Sequence, residues 1–204
     1  MKKVILASDF DGVLADSLTQ ALRLTKMIVN LFEEKIEIKS FQDFYKYIGR
    51  KSVMQISPMQ TSKLREIYRI LYEYHYRDIK VNKEIIKIYS RLKSRPIIVS
   101  SSFSSAIKKI LGNRIEIFSR IYGYENGKKR TLLEKLAKKG SIIYVTDTYR
   151  DLDLCNTIGI NSVATTWGYD DVNLLTKHKP TYVVNSKQEF IKLLDSLSLL
   201  HKKS

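Results

Sequence analysis

The chain has 204 residues and, with 36 basic against 21 acidic side chains, a formal net charge of +15. Apolar residues at 44% and charged residues at 28% are the usual globular mixture and exclude a globally disordered chain. The longest apolar runs, residues 4–7 and 96–99, fall far short of the ~18 residues of a membrane span, and Asp9 and Asp11 interrupt the one stretch that resembles a leader, so a soluble, cytoplasmic protein with no membrane partner is expected.

Residues 3–7 are a short β-branched and aliphatic run ending in acidic residues and Gly12, the pattern of a buried parallel strand feeding a turn. After Ser17, the residues Leu18, Ala21, Leu22, Thr25, Ile28, Val29 and Phe32 recur at spacings of three and four, which predicts a long helix. Leu64, Ile67, Tyr68, Leu71, Tyr72 and His75 mark a second helix, and Ile85, Ile86, Tyr89 and Leu92 a third. Residues 17–93 are therefore predicted to be almost wholly helical. From Pro96 onward strands and helices alternate, with strands at 97–100, 115–118, 141–145, 162–165 and 181–184. Helices are predicted at 105–111, 131–139 and 151–158, and from Ser186 to about Leu199. Thr131 is the expected N-cap of the helix that Gly140 closes. This alternation predicts an α/β fold, a parallel sheet covered by helices on both faces with a helical segment inserted after the first strand.

In an open parallel sheet the ligand lies beyond the carboxyl ends of the strands. Four predicted ends carry polar residues: Asp9-Phe10-Asp11-Gly12, Ser100-Ser101-Ser102, the segment around Lys128-Lys129, and Asp147 through Asp151. Alternation lets Asp9 and Asp11 point the same way, and Gly12 permits a sharp turn. Together with Asp147 they form a like-charge cluster that makes sense only with a cation or a proton to neutralise it. All-oxygen ligation with space for water suits Mg²⁺. A lysine would complement an anionic ligand sharing that metal, and phosphate is the natural candidate.

DFDGVLADS at 9–17, IIVSS at 97–101, Lys128-Lys129 before a helix and VTDTYRDLDLCNTIGINSVATTWGY at 145–169 resemble, in order, the four motifs of the haloacid dehalogenase (HAD) superfamily. The ending resembles the phosphoglycolate phosphatase-like members, which carry a helical cap between the first and second motifs. The resemblance implies a Rossmann-like catalytic core over residues 1–15 and 94–204 and an α-helical cap over 16–93. It implies that Asp9 attacks phosphorus to form an aspartyl phosphate, while Asp11 acts as general acid and then general base and lends its backbone carbonyl to a metal. Ser100 would bond the transferring phosphoryl, and Lys129 would neutralise charge on its oxygens. Asp147 would ligate Mg²⁺ directly alongside Asp9 and Asp11, and Asp151 would hold a metal water or orient its neighbours. Ser101, Arg50 and Lys128 are further candidates for binding substrate.

The expected function is a Mg²⁺-dependent phosphatase acting on a small phosphorylated metabolite, a phosphoglycolate-like phosphomonoester. A phosphomutase, a nucleic acid end phosphatase and a non-catalytic binding protein on the same fold are the alternatives. Dehalogenation is disfavoured, because Asp11 and Asp147 fit phosphoryl chemistry better than halide displacement. There are three departures from the family pattern: Thr146 stands where Gly precedes the first Asp of the last motif, Asn82 stands where a Gly often returns the cap to the core, and two lysines compete for one role. Lys129 fits that role better than Lys128, sitting two residues before the expected N-cap.

The positive charge is spread almost evenly, +8 over residues 16–95 and +7 over the remainder, so it reads as solvated surface rather than a nucleic-acid-binding arm. Seven of the 13 tyrosines fall between Tyr45 and Tyr89. Of these, Tyr68 and Tyr72 lie on the apolar stripe and are expected to pack, whereas Tyr74 and Tyr76 lie off it and could face the active site. His75 is expected to pack, Trp167 to lie against the core, and the lone Cys155 to form no internal disulfide. No zinc site is supported, and a monomer or homodimer is expected.

Overall fold

The computed structural model describes residues 4–30, 43 and 58–201. Arg50, Gly49, Lys51, Tyr45, Tyr47 and the end of the first apolar stripe at Phe32 lie outside the described residues. The chain divides into two units, Met1–Asp16 with Lys80–Ser204 and Ser17–Ile79.

In the first unit, β1 (Val4–Ser8) is an uncharged strand whose Leu6, Ala7 and Ser8 are buried. A strand buried on both faces must lie inside a sheet with parallel neighbours. It pairs with β4 (Ile97–Val99) on one side and β6 (Ser141–Thr146) on the other. With β5 (Arg120–Tyr122), β7 (Asn161–Thr165) and β8 (Tyr182–Val184) the sheet has six parallel strands in the order β5-β4-β1-β6-β7-β8. Because the order reverses at β1, the crevice for a ligand opens beyond the carboxyl ends of β1 and its neighbours.

Helices cover both faces. On one, α5 (Lys129–Ala137) and α6 (Tyr149–Ile158) contribute Leu132, Leu133, Leu136 and Cys155 to a cluster with Ala7, Val99, Ile142 and Tyr144. Leu175 of α7 (Val172–Lys177) joins Leu152 and Ala164 in a second cluster. On the other face the hydroxyl of Tyr89 in α3 (Lys83–Tyr89) donates to Ser8 Oγ at 2.9 Å. Its ring meets Phe118 and Phe190, the latter from α8 (Lys187–Ser196). Trp167 packs as expected: its ring lies 6.3 Å from that of Phe190, and its Nε1 donates to Val13 O at 3.4 Å.

Three sequence expectations are corrected. No strand forms at 115–118; Gly112, at φ 55, ends α4 (Ser104–Leu111), and a 3₁₀ segment Gly112–Ile117 follows. The Ile115 and Phe118 pattern that reads as strand alternation is also the three-residue repeat of a 3₁₀ turn, closed by Phe118 N donating to Ile115 O at 3.0 Å. The helix expected from Thr131 begins two residues earlier, at Lys129, with Lys128 at the N-cap and no side-chain capping bond. Finally, residues 80–93 fall in the first unit rather than the inserted segment. β2 (Ala15–Asp16) and β3 (Lys80–Val81) form an antiparallel ribbon, Asn82 N donates to Leu14 O at 2.7 Å, and α3 buries Ile85, Ile86, Ile88 and Tyr89. Asn82 caps α3 by accepting from Ile85 N at φ −70, a conformation that needs no glycine.

The second unit contains α1 (Leu18–Asn30) and α2 (Pro58–Tyr74). Their buried residues include Ala21, Ile28 and Tyr72, which lie on the predicted stripes, and Leu24, which the first stripe does not include. Tyr68 stacks 6.2 Å from Tyr72, His75 is half-buried, Tyr74 is 80% exposed and Tyr76 half-buried. No helix among the described residues is long and apolar enough to cross a membrane.

Candidate active site

Four loops at the carboxyl end of the sheet bring the chemistry together. Asp9 continues β1 by donating its N–H to Val145 O at 2.8 Å, which fixes its backbone to the sheet. Its carboxylate is buried, with Oδ1 accepting from Phe10 N at 2.8 Å and Oδ2 from Lys129 Nζ at 2.8 Å. Lys129 reaches this position from the first residue of α5 and bonds a second carboxylate, Asp151 Oδ2, at 2.6 Å. Its ammonium also lies 5.6 Å from the centre of the Tyr144 ring. Of the two lysines, Lys129 is the one brought to Asp9 and Asp151, whereas Lys128 is exposed.

The ionisation of this triad follows from burial and mutual attraction. Burial opposes charge on Lys129, yet the Asp151 and Asp9 carboxylates outweigh it and hold the ammonium protonated far above its ordinary range. Burial pushes the Asp9 carboxyl well up, with Lys129 pulling against that shift and Asp151 adding to it. Burial acts on Asp151 too, but the attraction of Lys129 and hydrogen bonds such as that from Thr146 hold it below the usual carboxylate range. Thr146 Oγ1 donates to Asp151 Oδ2 at 3.1 Å, so the residue found where the family pattern has Gly contributes a hydroxyl to the network. The Tyr144 hydroxyl donates to Val99 O at 2.8 Å and lies 3.5 Å from Asp151 Oδ2.

Asp147 is fully buried between two glycines. A Cβ added at Gly12 would lie 1.8 Å from Asp147 Oδ2 and one at Gly168 would lie 2.2 Å from it, so neither position has room for a side chain. Gly12 also has φ 70, within the left-handed region. Oδ2 accepts from Tyr169 N at 2.7 Å, whereas Oδ1 is buried with no hydrogen-bond partner. Burial, partly offset by the Tyr169 N–H, pushes this carboxyl up to about 8. A buried carboxylate oxygen without a partner is costly in a folded protein unless something supplies positive charge to it. An oxygen of this kind suits a hard divalent cation, which Asp147 Oδ1 and the spare lone pairs of Asp9 could hold.

Among the described residues no three Asp, Glu, His or Cys side chains cluster as metal ligands. Asp9 and Asp151 bond Lys129 instead, and Asp11 Oδ2 accepts from Ser102 Oγ at 2.7 Å. Ser100 is buried at the end of β4, its N–H donating to Tyr122 O at 2.9 Å and its Oγ accepting from Ser102 N at 3.1 Å. Ser101 is exposed.

Ser102, Tyr144, Thr146 and the segment Gly168–Asp170 are site components that the sequence reading did not assign. Ser102 is the third serine of a run at a recognised strand end, a signal that was available. Tyr144 is hidden in the apolar run of β6; Gly168 and Tyr169 close the stretch that resembles the fourth motif, and Asp170 lies just beyond it.

A family model described as haloacid dehalogenase-like hydrolase matches residues 7–165. The chain is 23% identical over 203 residues to a phosphoglycolate phosphatase of Synechococcus elongatus, covering 93% of this chain and 96% of that protein. Among solved structures it resembles a haloacid dehalogenase-like family hydrolase from Streptococcus pneumoniae, with TM-score 0.73, 19% identity and coverage of 93% and 97% of the two chains. It also resembles a hydrolase from Pseudomonas syringae, with TM-score 0.78, 16% identity and coverage of 96% and 99%. The order of strands, the buried Asp9–Lys129–Asp151 network and the extent of the family match lead to one assignment: the chain belongs to the haloacid dehalogenase-like hydrolases.

Proposed function

We propose that this hydrolase is a Mg²⁺-dependent phosphatase of a small phosphorylated metabolite, a phosphoglycolate-like phosphomonoester, working through an aspartyl phosphate on Asp9. The observation that carries the reading is Lys129 Nζ held between Asp9 Oδ2 and Asp151 Oδ2 beside the partnerless Asp147 Oδ1. A fixed ammonium against a buried carboxylate is what an anionic phosphoryl group needs when that carboxylate is to approach it. Similarity to a phosphoglycolate phosphatase supports the choice of substrate class.

In this reading an Asp9 carboxylate oxygen forms a bond to phosphorus as the bond to the leaving oxygen breaks, and the Asp11 carboxyl gives that oxygen its proton. The Asp11 carboxylate then takes a proton from water, whose oxygen bonds phosphorus and returns Asp9 as a free carboxylate with inorganic phosphate. Lys129 neutralises the phosphoryl oxygens in both steps, Ser100 donates to one of them, and Asp151 keeps Lys129 in place. Asp9, Asp147 and the backbone carbonyl of Asp11 would hold Mg²⁺, which supplies further positive charge to the phosphoryl group. Ser101, Lys128 and Arg50 remain candidates for contacts to the rest of the substrate.

Hydrolysis of p-nitrophenyl phosphate tests the reading. The parent protein is expected to turn over only with Mg²⁺ present, and Asp9→Asn to lose turnover completely. A parent protein that hydrolyses the ester equally well in EDTA, or an Asp9→Asn variant that keeps its rate, would overturn it.

A further inference from the structure

Tyr169 and Asp170, in the loop that follows β7, are fastened to the loop that carries Asp147. Tyr169 N donates to Asp147 Oδ2 at 2.7 Å, and Asp170 N donates to Asp147 O at 3.3 Å. In the return direction Asp170 Oδ2 accepts from Tyr149 N at 2.8 Å. Tyr149 is the first residue of α6, whose N-cap, Thr148, makes no side-chain capping bond. The carboxylate of Asp170 therefore does from another loop what a local Ser, Thr or Asp does at most helix starts, and it places negative charge at the positive end of the helix. It is 6% exposed, so the contact is shielded from water.

Asp147 and Asp151 both lie against this fastening. Asp147 precedes the helix start by two residues and receives bonds from Tyr169 and Asp170 on its side chain and its backbone. Asp151 sits in the first turn of α6, whose first N–H is held by Asp170. With Oδ2 of Asp147 engaged by Tyr169, its Oδ1 is left as the oxygen without a partner.

Resting on the Mg²⁺-dependent reading above, we propose that Asp170 is a positioning residue for the metal, holding the loop between β6 and α6 so that Asp147 presents Oδ1 to the cation. Partners that orient a metal ligand typically change metal affinity by about 10–100-fold when removed.

The test is isothermal titration of the full chain with Mg²⁺ alone, alongside thermal unfolding in EDTA. Asp170→Ala is expected to weaken Mg²⁺ binding by roughly 10–100-fold. Asp170→Asn, which keeps an acceptor oxygen for Tyr149 N, should stay within about threefold of the parent. If Asp170→Ala does not fold, Asp170→Ser, too short to make the same bond, carries the comparison. Variants lacking the acceptor that bind Mg²⁺ as tightly as the parent, while melting lower in EDTA, would show a brace for the fold alone and overturn the proposal. An Asp170→Asn variant as weak as Asp170→Ala would overturn it as well. A parent protein that binds no Mg²⁺ removes the metal reading itself and the proposal with it, an outcome distinct from the other two.

Discussion

Replacing Lys129 with Met keeps an unbranched stem in the same space and removes the one ammonium bonded to both Asp9 and Asp151. Two buried carboxylates would then face each other without it. Removing one partner from a buried ion pair typically costs about 3–5 kcal/mol. For a chain of this length each kcal/mol moves the unfolding midpoint by about 2–4 °C, so a fall of roughly 6–20 °C is expected. Thermal unfolding in EDTA measures that fall and urea unfolding the free energy behind it, both followed by the fluorescence of the single Trp167 in the unit that holds the site. The deficit should depend on pH. In the parent, Asp151 is held below its unfolded value, so its contribution to stability is present above about pH 4 and is lost as pH falls through its folded value. Without Lys129, burial dominates and the folded value moves above the unfolded one, which makes the contribution unfavourable at neutral pH and removes it in acid. The gap between parent and variant should therefore be widest near pH 7 and narrow on acidification, and adding Asp151→Asn should recover part of it. A Lys129→Met protein within about 1 kcal/mol of the parent at pH 7 would refute the idea that this ammonium offsets the burial of the two carboxyl groups.

Gly12→Ala and Gly168→Ala should each reduce phosphatase turnover at least tenfold, because the added methyl would occupy the space of Asp147 Oδ2; crystal structures of the variants would show that side chain displaced. Ser102→Ala removes the 2.7 Å bond to Asp11. Hydrogen bonds to charged groups contribute about 1.5–3 kcal/mol, so kcat should fall roughly 10–100-fold with KM little changed, as steady-state kinetics would record. Cys155 is fully buried and burial pushes its thiol up to about 12; iodoacetamide at pH 8 should leave the native protein unlabelled by mass spectrometry and alkylate it after unfolding in urea.

The parts of the fold legible in the sequence are those where a local pattern and the tertiary environment agree. β1 and β6 are aliphatic runs because parallel strands inside a sheet are buried on both faces, and the acidic residues that follow them mark the strand ends. Asp9, Asp147 and Asp151 stand out in the sequence for that reason. Where one pattern serves two geometries the reading failed, as at Ile115 and Phe118. Thr131 was a plausible cap by residue type, but Lys128 occupies the cap position without a side-chain bond, and no residue preference signals that. The partners of the site residues were the least legible: Ser102 meets Asp11 across 91 positions of sequence, and Asp170 meets Tyr149 across 21. Such contacts arise from which loops the sheet order brings side by side, which composition and periodicity do not encode.

The ribbon of β2 and β3 joins the two ends of residues 17–79, with Asp16 paired directly to Lys80. A long excursion of chain that starts and finishes on adjacent residues adds little closure entropy to the unit it leaves, since that cost grows only with the logarithm of loop length. The same antiparallel pair is half of a β-hairpin, and a two-residue Asn-Gly turn is the natural link between its strands. Joining Asp16 to Lys80 through Asn-Gly should yield a soluble protein that retains the six-stranded sheet by circular dichroism. On that outcome the sheet would be shown to tolerate a change in the length of what is inserted between Asp16 and Lys80 without being refashioned itself.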